Sequence, residues 1–398
     1  MVFKGFSGNV RVLLITCAFL SLSMGIAYPY LSEYIYAVVG SAFIAGLVAS
    51  ARSAVCLIAI LAGGFLADFI GRKKPICYGT FLFGLSQLIY ACSSSTAMFF
   101  LAALCEGISY FYFPAFNAMI MDSSEDRRLM DVFTLSVIVD HLPYTVAPFL
   151  GGVLRDFYGV FGLRIGFCFS GFTMLAMALL RWRFLTETLR EVKGIGFKEL
   201  LRMCAGVIGD FWALNPLVKG LVLLRSFVLL VSITMFYYFA VLYAVRYAGV
   251  VSFTEWGLIL SISSVFYLLA VFFTKTVGEA KPSKSYGLLV LAESASPLLF
   301  FLSVKWALLA SMAVLNVCGV LTYAIERSYV ARVTDQLMRG RAESFMTISF
   351  YVGAVIGSLI GGYLFSINPP LLITLSWALL VTGAFLGFML FKAVEPLK

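Results

Sequence analysis

Two long apolar runs of this chain are separated by one short charged stretch, Gly64-Phe65-Leu66-Ala67-Asp68-Phe69-Ile70-Gly71-Arg72-Lys73-Lys74. The run on each side is long enough to cross a lipid bilayer as a helix. The three consecutive basic residues predict a loop on the cytoplasmic side of a membrane. Gly71 permits a sharp turn, and Asp68 falls at the membrane boundary. The stretch therefore predicts a helical hairpin and the direction in which the chain is threaded.

The composition extends this prediction to the whole chain. Of the 398 residues, 62% are hydrophobic and 12% are charged, whereas soluble domains carry about 25% charged residues. The mean hydropathy of +0.99 is too high for a water-soluble core. The apolar runs also exceed the ~10 residues of a membrane β-strand. Because lipid cannot satisfy backbone polar groups, we predict an all-α integral membrane protein.

Charged and turn-rich breaks divide the chain into twelve predicted transmembrane helices. Their approximate ranges are 10–32, 42–67, 75–95, 98–122, 131–154, 162–182, 217–244, 252–274, 285–304, 306–329, 344–366 and 370–391. We predict an N-terminal six-helix bundle at 1–182, a cytoplasmic central loop at 183–216 and a C-terminal six-helix bundle at 217–398.

The basic residues of the loops support this threading. If the N-terminus is cytoplasmic, nearly all of them lie inside, including Arg181 and Arg183, and the outside carries only Arg155, Arg164, Arg246 and Lys305. This asymmetry predicts that both termini are cytoplasmic. It also explains the net charge of +9 without a nucleic-acid partner.

The two halves of the chain contain related segments. Ala147-Pro148-Phe149-Leu150-Gly151-Gly152 ends the fifth predicted span, and Gly357-Ser358-Leu359-Ile360-Gly361-Gly362 ends the eleventh. This repetition predicts two pseudo-symmetric six-helix bundles.

The charged stretch also resembles the loop between the second and third helices of major facilitator superfamily transporters. The matching positions are Gly64, Asp68, Gly71, Arg72 and Lys73. Phe69 stands where the family usually has a basic residue, and Ala103 stands where some proton-coupled members have arginine. The resemblance implies the major facilitator fold and secondary transport by alternating access. It also implies a conformational latch, in which Asp68 meets the start of the eleventh helix near Ser344. The alternative is that Asp68 caps its own loop or pairs with Arg72.

Four ionisable residues of the first half fall at similar depth in predicted spans: Arg52, Glu106, Asp140 and His141. Ionisable groups inside a membrane usually have a partner or a function. We predict that Arg52 pairs with Glu106 or Asp140, and that protonation of this cluster couples a proton gradient to substrate movement. A static ion pair is the alternative.

The second half contains a second candidate pair, Arg225 and Glu326, which would act as a gate or as a structural pair. By the resemblance, Asn117, Tyr237 and Asn316 lie on cavity-lining helices and are candidate substrate contacts. Glu293 also falls inside a span, and the sequence assigns it no role.

An enzyme is not expected, because the chain has one histidine, no CxxC pair and no phosphate-binding loop. We expect no cofactor and no metal. The expected partners are a small-molecule substrate, H+ as coupling ion and the lipid bilayer, with the protein a monomer in the plasma membrane. The aromatic content of 16% favours efflux of amphipathic, drug-like compounds. The alternatives are proton-linked uptake of a sugar or organic anion, and a receptor of the same fold that has lost transport.

Overall fold

The computed structural model describes residues 6–125, 129–189, 209–279, 282–335 and 338–393. These residues are almost entirely helical, which confirms the all-α prediction. The chain forms two compact units, Met1–Val39 with Ala51–Cys204, and Gly40–Ser50 with Ala205–Lys398. The domain limits given above stay predictions, and most of the predicted central loop lies outside the described residues.

Up to Phe184 the helices follow the first six predicted spans. They are α1 (Gly8–Ala27), α2 (Leu31–Val39), α3 (Ala42–Phe69), α4 (Lys73–Cys92), α5 (Thr96–Ser109), α6 (Tyr112–Asp122), α7 (Leu129–His141), α8 (Ala147–Tyr158) and α9 (Val160–Phe184). Short 3-10 turns at Tyr28–Tyr30 and Leu142–Thr145 join α1 to α2 and lead from α7 towards α8. The first span is thereby longer than predicted and reaches Val39.

The remaining helices follow the last six predicted spans. They are α10 (Pro216–Leu224), α11 (Leu230–Val241), α12 (Phe253–Val271), α13 (Thr274–Glu279), α14 (Pro282–Phe301), α15 (Lys305–Val333), α16 (Arg339–Ile367) and α17 (Pro369–Lys392). A π-helical segment, Arg225–Leu229, joins α10 to α11, and such segments often occur at functional positions.

Within the described part of the chain, eleven helical segments are long and apolar enough to span a membrane. The ninth predicted span, α14, is the exception. It has 20 residues, enough for about 30 Å at ~1.5 Å per residue. Its lower hydropathy has a local cause, since it carries Lys284, Glu293, several serines and Pro297.

Local signals in the sequence explain where several helices begin. The Ser7 side chain accepts a hydrogen bond from the Val10 N–H at the start of α1. Ser252 and Glu255 form a reciprocal capping box at the start of α12. Such caps satisfy N–H groups that have no partner inside the helix.

The repeated glycine segments allow close helix packing in each unit. A Cβ atom at Gly151 would lie 1.8 Å from the Ile26 carbonyl oxygen of α1, and one at Gly357 would lie 2.5 Å from the Val231 oxygen of α11. Both positions therefore require glycine, as is common where membrane helices approach closely.

Candidate functional site

In the first unit, Arg52 of α3 pairs with Glu106 of α5, with 3.1 Å between Nη1 and Oε1. The Glu106 side chain is fully buried. Tyr28 donates a second hydrogen bond to Glu106 Oε1 at 3.1 Å, and its ring lies 5.2 Å from the Arg52 guanidinium carbon. Of the two partners that the sequence leaves open for Arg52, the structure has Glu106. The other carboxylate oxygen, Oε2, is buried without a hydrogen-bond partner in the described residues.

Asp140 of α7 has different surroundings. Ser21 of α1 donates to its Oδ1 at 2.5 Å, and the Cys17 thiol lies 3.6 Å from the same oxygen. His141 Nδ1 is 3.6 Å from Oδ2. Among the described residues, no arginine or lysine forms an ion pair with Asp140. The Asp140 side chain is 47% exposed, whereas that of Glu106 is fully buried.

In the second unit, Arg225 is in direct contact with Glu326 of α15, and both are buried. Arg225 Nε donates to Ser349 Oγ at 3.1 Å, and the Tyr286 hydroxyl donates to Glu326 Oε1 at 2.8 Å. Arg225 is the first residue of the π-helical segment. The arrangement links the seventh, ninth, tenth and eleventh predicted spans through one buried ion pair.

The loop between α3 and α4 contains its own ion pair. Arg72 Nη1 lies 2.7 Å from Asp68 Oδ1, and Arg72 Nε lies 3.4 Å from Asp122 Oδ2 at the end of α6. Asp68 therefore has the within-loop partner that the sequence offers as the alternative to a latch. Lys73 Nζ lies 6.0 Å from the Trp182 ring. The latch itself stays a prediction.

Glu187, which the sequence does not single out, completes this loop. Its Oε1 accepts from the Arg72 N–H at 2.8 Å, and its Oε2 accepts from the Lys73 N–H at 3.0 Å. Burial alone would raise the pKa of Glu187. The N–H groups of Arg72, Lys73, Leu189 and Thr188 outweigh burial and lower its pKa below the ordinary value of 4.5. The carboxylate thus satisfies the N-terminus of α4, where negative charge is favoured.

Arg181 lies near the end of α9, inside the sixth predicted span, and its side chain does not enter the loop that follows. Its side chain is buried in α9 and donates to Thr16 Oγ1 at 2.9 Å and to Thr80 Oγ1 at 2.6 Å. Its guanidinium carbon lies 5.5 Å from the centre of the Phe116 ring. Neighbouring Arg183 is exposed. The sequence pattern does not distinguish these two arginines.

The three candidate cavity residues differ in their contacts. Asn316 Nδ2 donates to Ser263 Oγ of α12 at 3.0 Å. Tyr237 on α11 is exposed, and Asn117 on α6 is partly buried. Their role in binding stays a prediction.

Comparison with known proteins identifies similar sequences. A sequence model of the Major Facilitator Superfamily matches residues 13–251. An uncharacterised transporter of this type from Methanocaldococcus jannaschii is 24% identical, covering 89% of this chain and 91% of its own. A Na(+), Li(+), K(+)/H(+) antiporter from Planococcus maritimus is 23% identical, and the match covers 97% of this chain and 95% of the antiporter. The quinolone resistance protein NorA of Staphylococcus aureus is 24% identical, covering 41% of each chain.

Among solved structures, a peptide transporter, POT, crystallised with sulfate superimposes with a TM-score of 0.78 at 14% identity. The match covers 99% of this chain and 95% of that one. At this identity the likeness concerns the fold alone, and it confirms the fold that the sequence predicts.

Proposed function

Because the chain belongs to the Major Facilitator Superfamily, we propose that it is a proton-coupled antiporter that exports amphipathic organic compounds. The protein is a multi-pass membrane transporter of small molecules and not an enzyme. The finer assignment, with its substrate class, coupling ion and direction, is our proposal. We also propose that the protein lies in the plasma membrane, that both termini are cytoplasmic and that the protein is a monomer.

The observation that carries the proposal is the difference between Asp140 and Glu106. Glu106 is fully buried and held by Arg52 and Tyr28. Asp140 is half exposed and is held by a hydroxyl and a thiol. The charge of Glu106 is thus compensated by Arg52, whereas Asp140 has no arginine or lysine partner among the described residues. We therefore assign proton coupling to Asp140, with His141 beside it, and a static role to the Arg52–Glu106 pair.

Efflux is supported over uptake of an organic anion. Uptake would need a free cationic group, but Arg52 and Arg225 are each occupied by a carboxylate of their own unit. An aromatic content of 16% suits the binding of amphipathic compounds. In addition, a relative that matches 41% of this chain is a quinolone resistance protein.

A second candidate is exchange of a monovalent metal cation for protons. It is favoured by the relative of nearly full coverage, which is a Na(+), Li(+), K(+)/H(+) antiporter. It would use the same half-exposed carboxylate, because a hard cation and a proton both bind carboxylate oxygens.

The test is transport in proteoliposomes under an imposed pH gradient, with ethidium, norfloxacin, Na+ and K+ offered separately. We expect proton-driven movement of the organic compounds, its loss in Asp140→Asn and its retention in Glu255→Gln. Glu255 is a surface carboxylate next to Lys305, and glutamine preserves its capping role. Movement of Na+ or K+ alone would replace the first candidate by the second. No movement of any compound would favour a receptor of the same fold.

A further inference from the structure

The helix α14 carries a group of polar residues inside the second unit. Glu293 is 2% exposed, Ser294 4% and Ser296 0%. The two serines are satisfied locally. Ser294 donates to the Leu291 carbonyl oxygen, and Ser296 shares a 2.9 Å hydrogen bond with Ser311 of α15. Glu293 is therefore the member of this group whose burial requires a separate explanation.

The Glu293 carboxylate has no hydrogen bond and no ion pair within the residues that the structure describes. Arg225 is near enough to act on it electrostatically, but Arg225 is already in contact with Glu326. Burying an ionised carboxylate without a partner is strongly unfavourable, because the charge loses its hydration. Such a group takes up a proton or binds a cation.

The packing around Glu293 leaves room beside the carboxylate. Gly319 of α15 faces it, and Glu293 Oε1 would lie 3.8 Å from a Cβ atom at that position. Pro297 lies four residues further along α14 and has no N–H to donate to the Glu293 carbonyl. The residue thus combines a buried carboxylate with a carbonyl that lacks its usual helical donor.

The ionisable groups near Glu293 come from several elements. Its own helix supplies Tyr286, whose hydroxyl is already used by Glu326. Helix α15 supplies Cys318, and the π-helical segment supplies Arg225, which is itself in contact with Glu326 of α15. Helix α17 packs on α14 near Gly287 through the apolar Phe388 and Ala384. Among the described residues, Arg225 is the cation that acts on Glu293, and Arg225 is in direct contact with Glu326.

We propose that Glu293 is a proton-binding site of the second unit, and that it holds its proton while Arg225 is paired with Glu326. Loss of this proton would leave two carboxylates competing for one guanidinium group, which would weaken the Arg225–Glu326 contact. The inference deepens the proposed proton coupling and rests on it for its role in transport. Protonation of Glu293 is measurable without any transport assay. Failure of the proposed proton site can therefore be distinguished from failure of the proposed proton-coupled transport.

The test is infrared difference spectroscopy on the full-length protein in liposomes, comparing wild type, Glu293→Gln and Asp140→Asn during a pH titration. We expect the carbonyl stretch of a protonated, buried carboxyl group in wild type at neutral pH. It should be lost in Glu293→Gln, which keeps the shape of the protonated side chain, and retained in Asp140→Asn. A spectrum of Glu293→Gln that equals that of wild type would overturn the proposal. A band in wild type that vanishes on adding Na+ at constant pH would also overturn it, in favour of a metal cation.

A second measurement needs no variant. Dicyclohexylcarbodiimide is an apolar reagent that modifies protonated carboxyl groups, and peptide mapping of the treated wild-type protein locates the adduct. We expect modification at Glu293 that decreases as the pH is raised, with none at the exposed Glu255. Absence of an adduct at Glu293 over the whole pH range would contradict the assignment.

Discussion

The carboxylate of Glu187 lies in the space that a side chain at Gly71 would occupy, since a Cβ atom there would be 2.4 Å from Glu187 Oε2. Gly71 also has a backbone φ of +88°, which residues other than glycine rarely adopt. The glycine of the charged stretch is thus required twice, for the turn and for the approach of the residue that caps α4. Only the first requirement is visible in the stretch itself.

We expect Gly71→Ala to destabilise the protein. The left-handed backbone alone costs about 1–2 kcal/mol for a residue with a Cβ, and displacement of the Glu187 carboxylate adds to it. The measurement is the melting temperature in detergent. Gly64→Ala is the matched control, because no atom of the described residues lies within 4 Å of a Cβ at that position. Alanine is favoured in a helix by about 0.5–1 kcal/mol, so the control should be unchanged or more stable. Equal melting temperatures for the two variants would contradict this account.

Glu187 should make the stability of the protein depend on pH. Its pKa is lower in the folded protein than the ordinary value of 4.5. Its contribution is therefore fully present above 4.5 and is lost as the pH falls through the lower folded value. At neutral pH we expect wild type to melt at a higher temperature than Glu187→Gln. The difference in melting temperature should shrink as the pH falls below 4.5 towards the folded pKa of Glu187. A difference that does not change with pH would show that the negative charge is not what stabilises the loop.

The Arg52–Glu106 pair should be replaceable as a unit. Removing one partner of a buried ion pair costs about 3–5 kcal/mol, whereas apolar replacement of both is often neutral or stabilising. We expect Glu106→Gln to lower the melting temperature strongly and the double variant Arg52→Met/Glu106→Leu to recover most of the loss. Proton-driven transport by the double variant would support a static role for the pair. Complete loss of transport in a double variant that is stable would instead show that the pair takes part in proton coupling.

The sequence predicts the spans of this protein better than the partners of its charged residues. Length and hydropathy are local properties, so eleven spans agree with the structure to within several residues and α14 is the weakest. The partner of Arg52 depends on how α3 and α5 are rotated about their axes. A soluble helix reveals this rotation through its polar face, but a membrane helix is apolar towards both lipid and protein. For the same reason the sequence does not identify Ser21 as the partner of Asp140.

Arg181 and Arg183 provide the sharpest test of this difference, because they are two residues apart at the end of the same span. Arg181 is 1% exposed and bonded to Thr16 and Thr80, while Arg183 is at the surface. We expect Arg181→Ala to cost about 3 kcal/mol or more, since it opens a cavity and leaves two hydroxyl groups without their donor. Arg183→Ala should stay within about 0.5 kcal/mol of wild type, as is usual for surface positions. The measurement is the melting temperature of the two purified variants.

The variant Arg181→Lys adds a further comparison. Lysine keeps the charge but lacks the planar fork that reaches both threonines, so it should recover only part of the stability that Arg181→Ala loses. Recovery to the wild-type value would show that the charge alone, and not the two hydrogen bonds, is what this position requires.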